Sequence, residues 1–271
     1  MLTAGGAGAP ARLPIRTLLL VTTTETRFPS RIAATAFSAV LQIAVLSTLW
    51  TAVYCGADGA SCDGAEQART YSALAVLTLC TRGAARDSVR SKIREGTLVF
   101  WFVRPMAPQR YLALRTMGGF AYNLMWLVPG AALLVLCGVI SPPASWQVLV
   151  VALWCLAMGQ VVAYQLGMLL ELLCFWTISN YGITRTYFFF QDLLSGAVIP
   201  LWLFSESVQD AVRVLPFHLT VDLPIVVYQS EGIDMQTAHM ALSQLAWAVG
   251  IGCLTRFLWV RAARRVPTDG G

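Results

Sequence analysis

Two carboxylates stand where charge is expensive. Asp192 lies in the apolar run from Phe188 to Phe204, and Glu171 lies near the end of the run from Trp146 to Phe175. A charge at mid-bilayer costs about 2.5 to 3.5 kcal/mol even on lenient insertion scales, so such groups face a protein interior or a wet cavity. In a cavity the acid meets a cationic substrate or takes up a proton. The alternative is structural neutralisation, for Asp192 by Arg185 or by polar neighbours such as Gln191. Other chemistry is missing from the sequence. A P-loop needs a lysine after glycine to reach the outer phosphates, but the sole lysine, Lys92, follows Ser91. No HExxH, G-x-S-x-G or acidic metal-binding cluster occurs, and His218 and His239 stand singly. No catalytic residue, cofactor or metal site is expected on this chain.

The charge that is present gathers in one place. Between Arg82 and Arg115 the chain carries Arg82, Arg86, Arg90, Lys92, Arg94, Arg104, Arg110 and Arg115 against only Asp87 and Glu95, with apolar runs on either side. Of 271 residues, 57% are hydrophobic and 12% charged, about half the charged fraction of a globular domain. The chain therefore reads as an all-α integral membrane protein, and its net charge of +5 is a topology signal rather than a nucleic-acid footprint. Arginine and lysine concentrate on the cytoplasmic side of membrane proteins. Only Arg69 and Arg213 fall in loops of the opposite side, where Asp58, Asp63, Glu66, Glu206, Asp210, Asp222, Glu231 and Asp234 collect. Both termini are then cytoplasmic, at the cell membrane.

Six spans are expected, at about 32–54, 71–87, 111–140, 146–175, 188–204 and 237–260, each compared with the roughly 20 residues needed to cross the hydrocarbon. Residues 1–13 read as a disordered tail and 14–271 as a single transmembrane domain. Residues 14–28, with Pro14, Leu18 and Leu19 among arginines, suit an amphipathic helix in the inner interface. In the fourth span Gly159, Ala163 and Gly167 recur at four-residue spacing, a pattern that lets another helix approach closely, within the bundle or across a dimer. Pro129 interrupts the third span. The outer segment from Ser205 to Gln236 is too apolar for a free loop and too short for two spans. Half-helices dipping into the outer leaflet satisfy both constraints, because irregular backbone at that depth must be covered by protein. Cys55 and Cys62 share the first outer loop and are candidates for a disulfide where the outside is oxidising; the other five cysteines lie singly in apolar runs.

These features resemble a known family. Ile93, Glu95-Gly96 and Arg104-Pro105 are similar to the I-x-x-G and R-P of the ABC-2 type permeases, the membrane subunits of ABC exporters that lack their own ATPase. Ser195-Gly196 with Ile199-Pro200-Leu201 resembles the family's S-G-x-x-x-P-L, and Leu215-Pro216-Phe217 with Pro224 and the tail ending Gly270-Gly271 follow in the same order. Ser205 departs from the pattern, where relatives often have proline. The resemblance implies six spans, an N-terminal amphipathic helix, a cytoplasmic coupling helix and outer re-entrant helices. It implies a homodimer, or a heterodimer with a related permease, seated on ABC ATPase subunits that bind ATP and Mg. Arg90, Lys92, Ile93, Arg94, Glu95, Gly96, Arg104 and Pro105 would meet that partner. The expected function is export of a hydrophobic or amphipathic substrate through the lipid membrane. The competing reading is an ion-coupled secondary transporter that uses Asp192.

Overall fold

Long apolar stretches dominate the chain, and in lipid a backbone must satisfy its own hydrogen bonds. The computed structural model accordingly shows helices and 3₁₀ turns, with no strand among the described residues, which are 29–55, 63–82, 92, 95, 107–177 and 181–263. The helices are α1 (Pro29–Tyr54), α2 (Asp63–Thr81), α3 (Pro108–Leu136), α4 (Trp146–Leu172), α5 (Tyr181–Leu194), α6 (Glu206–Val214), α7 (Asp222–Gln229) and α8 (Met235–Ala263). Among the described residues four stretches, Ala33–Tyr54, Pro108–Leu136, Trp146–Phe175 and Met235–Ala262, are long and apolar enough to cross a membrane.

The less apolar α2 is explained by its position. Its Ala65, Ala68, Tyr71, Ala73, Ala75 and Val76 are buried, with α1, α3 and α7 packed around it. Small residues let those neighbours close in, and protein replaces lipid as its surroundings. Helix α8 runs along α4, and at one end Leu112, Met168, Leu172, Trp259 and Ala262 lock α3, α4 and α8 together.

Several boundaries differ from the sequence expectation. The fifth span, expected over 188–204 as one apolar run, is instead α5, which begins at Tyr181, seven residues ahead of the expected start, and ends at Leu194. Its 14 residues make about 21 Å of helix, short of a 30 Å core. Gly196, at φ +77°, turns the chain left-handed, a conformation that glycine adopts without penalty, and Pro200 leads only into a 3₁₀ turn, Leu201–Leu203. The third span starts earlier and stops sooner than 111–140. Gly138, at φ +70°, closes α3 as its N–H bonds to the Val135 carbonyl, the usual glycine stop. Pro129 sits inside α3. Helix α2 begins eight residues before the expected second span; residues 83–87 of that span lie outside the described residues. So do the tail 1–13 and the expected interface helix 14–28.

Candidate functional site

The segment between α5 and α8 folds into the bundle. A 3₁₀ turn, His218–Thr220, lies against α4 at Gly159, where an added Cβ would stand 2.9 Å from the Leu219 carbonyl oxygen and 3.2 Å from Thr220 Cα. Gly159 is thirteen residues into α4, about 20 Å along its axis. Gln244 of α8 fixes the same turn, its amide donating to the carbonyls of Leu219 (2.9 Å) and Cys155 (2.8 Å). The motif residues Pro216, Phe217 and Pro224 flank this insertion: Phe217 packs edge-on to Tyr187 of α5 at 5.8 Å, and Pro224 is buried in α7. Within this chain Gly159 and Gly167 do not share one neighbouring helix. Gly159 receives a backbone turn rather than a helix, Ala163 is half-buried, and Gly167 has none of the described residues within 4 Å of its would-be side chain.

Gly196 marks a second junction. The Tyr71 hydroxyl of α2 donates toward Asp222 Oδ1 (2.8 Å) and lies 3.1 Å from the Gly196 carbonyl oxygen, while the Asp222 N–H reaches the Ser195 carbonyl (3.1 Å). Trp202 stacks edge-on against the Tyr71 ring at 4.7 Å. Three segments distant in sequence thus close on one phenol. A polar latch around Ser141 ties the neighbouring loop down: Ser141 Oγ donates to Glu66 (2.7 Å), its N–H to Thr70 (3.0 Å), and Tyr228 donates to its carbonyl (3.0 Å).

Asp192 is neutralised, but by Arg82 rather than Arg185. The guanidinium of Arg82, just past α2, pairs with the Asp192 carboxylate on α5. Arg185 instead lies over the ring of Tyr181, one turn back on α5, and its Nε donates to that hydroxyl at 3.1 Å. Glu171 is buried near the end of α4, and neither of these two acids, each a candidate to face a cavity, lines the one described next. Arg82 does line it. Helices α1 and α3 both lean on α2, and between the three lies a cavity of about 650 Å³, within the range of small-molecule sites.

Of the expected coupling residues, Lys92 and Glu95 are described. They form an i,i+3 ion pair at 2.5 Å, while Arg90, Ile93, Arg94, Gly96, Arg104 and Pro105 lie outside the described residues. Cys55 is disulfide-bonded; Cys62, its expected partner, is outside them too. Among the described residues no three His, Cys, Asp or Glu side chains gather as a metal site. The Tyr71–Asp222 contact went unnoticed in the sequence; a lone acid ahead of the apolar Leu223–Tyr228 was its one signal.

This architecture, long apolar helices around a buried central helix with an infolded segment, is that of a multi-pass membrane protein. Residues 72–270 match the family model described as ABC-2 family transporter protein. The chain belongs to that family. Neither the curated proteins nor the solved structures contain a match to it.

Proposed function

We propose that this chain is the permease subunit of an ATP-driven exporter, moving a hydrophobic or amphipathic substrate with the energy supplied by separate nucleotide-binding subunits. ATP and Mg would reside on those partners. Two permease copies, identical or related, would form the path, with six spans in the plasma membrane, cytoplasmic termini, a Cys55–Cys62 disulfide outside, and the infolded segment as re-entrant helices.

The observation that carries this reading is the Arg82–Asp192 pair. Arg82 opens the basic block, and through Asp192 it is joined to α5, which continues through Gly196 into the infolded segment. A push on the block would be passed along that line, shifting the bundle between two packings. In the proposed topology the charged run beginning at Ser88 is the coupling helix, with Arg90, Lys92, Arg94 and Glu95 facing the ATPase. The same pair disfavours the secondary-transport reading, because an acid held by an arginine is poorly placed to cycle a coupling ion.

Transport in inverted vesicles tests the proposal. With the chain and a P-loop partner encoded beside it co-expressed, uptake of lipophilic dyes should require ATP and vanish when the partner's P-loop lysine is replaced. Uptake that persists on an ion gradient without the partner would overturn it.

A further inference from the structure

The cavity between α1, α2 and α3 is graded from polar to apolar. Arg69 near the start of α2 bonds to the Gly138 carbonyl just past α3 (3.1 Å), so these two helices run antiparallel and the end of α2 lies level with the middle of α3. Toward that end the lining includes Thr35, Arg82, Tyr122 and Asn123; toward the other it is mostly apolar, with Leu127, Gly130, Leu133 and Leu134, and the amide of the lining Gln42 is already donated to Ser38 Oγ (2.9 Å). From Asn123 to Leu134 is about 16 Å of helix, the length of an extended hydrocarbon chain of moderate size. The rim residues Val40, Trp126 and Leu133 are exposed on α1 and α3. The opening thus faces sideways, toward whatever surrounds the bundle.

The polar end has unspent hydrogen-bonding capacity. Arg82 gives one terminal nitrogen to Asp192, but among the described residues its buried Nε and other terminal nitrogen meet no acceptor, and the buried Tyr122 hydroxyl meets no partner. Unmet donors in an apolar medium cost free energy that a ligand's oxygens would recover. The charge, however, is already balanced. A second carboxylate would stand near Asp192 and a cation near Arg82, and either would add net charge to a low-dielectric site.

We infer that this cavity binds an amphiphile with a hydrocarbon body and an uncharged, oxygen-rich head, the head seated at Arg82 and Tyr122 and the body along Leu127 to Leu134. This names the substrate class for the permease reading and rests on that reading only in calling the ligand cargo.

Trp126 on the rim provides the readout, since bromine on an alkyl chain quenches an indole it touches. The full chain in phosphatidylcholine nanodiscs is titrated with a chain-brominated monoacylglycerol, the matching brominated fatty acid and the matching brominated quaternary ammonium. A Trp126→Phe variant isolates the signal of that one tryptophan. The expected result is saturable quenching by the monoacylglycerol alone, weakened about fivefold by Tyr122→Phe. A larger loss is expected in Gly130→Leu, which fills the cavity at a position where an added Cβ meets none of the described residues within 4 Å. Equal quenching by all three heads, or quenching indifferent to Gly130→Leu, would mean partition into the bilayer and would overturn the site. Selective binding without ATP-driven transport would leave the site standing and remove the permease reading; transport without selective binding would do the reverse.

Discussion

Replacing Gly196 by alanine tests how the infolded segment is anchored, and its cost can be worked out from the structure. The residue sits at φ +77°, where an L side chain loses about 1–2 kcal/mol. The new Cβ would stand 2.3 Å from the Tyr71 hydroxyl, so the phenol must retreat by roughly 1 Å to an ordinary contact. That retreat breaks its bonds to Asp222 and the Gly196 carbonyl, each contributing about 1 kcal/mol. The sum is roughly 3–4 kcal/mol. Gly138 supplies the control: it has φ +70° and none of the described residues within 4 Å of an added Cβ, so Gly138→Ala should show only the backbone part, about 1–2 kcal/mol. In a Tyr71→Phe background the obstructing hydroxyl is gone, and Gly196→Ala should fall to the same value. The measurement is unfolding by SDS titration in mixed micelles, as a double-mutant cycle. Equal costs at Gly196 and Gly138 within about 0.5 kcal/mol, or no relief from Tyr71→Phe, would refute the packing argument.

Other perturbations follow from the same geometry. Gly159→Leu should expel the 3₁₀ turn at Leu219–Thr220 and expose Gln244 to hydrogen exchange, whereas Gly167→Ala should leave stability within about 0.5 kcal/mol of the parent; both are read by the same titration. Asp192→Asn leaves Arg82 buried without its counter-charge and should cost about 3 kcal/mol, and the double change with Arg82→Gln should recover most of it. Asp234 caps α8 by accepting from the Thr237 N–H (2.8 Å) and hydroxyl (2.7 Å), and these bonds hold its carboxyl below the ordinary 3.8. A depressed acid contributes stability above that ordinary value and loses it as pH falls through the depressed one. Amide exchange in the first turn of α8 should therefore quicken in acid relative to the rest of the helix, and Asp234→Ala should abolish the difference.

The sequence carried the bundle but not its internal contacts. Apolar length alone located α1, α3, α4 and α8, because the solvent dictates a helix wherever about twenty apolar residues run together. It misplaced α5, since apolarity continues past Leu194 while the backbone does not; the deciding datum, a left-handed Gly196, is invisible in hydropathy. Asp192 was legible as an acid in need of a partner. The choice of Arg82 over Arg185 was not, because the true partner is 110 residues away and the nearer arginine already rests on an aromatic ring. The stripe of small residues on α4 announced a close approach but not what approaches. Tyr71 and Asp222 gave least warning, since a phenol in an apolar helix looks like ordinary packing until a third segment closes on it.

The central claim is that force enters this chain through its basic block from an ATP-hydrolysing partner. The direct measurement is substrate-stimulated ATP hydrolysis by the reconstituted complex carrying Arg90→Glu and Arg94→Glu. Normal membrane insertion is expected, with a stable permease whose substrate no longer stimulates hydrolysis. Undiminished stimulation in that variant would contradict it.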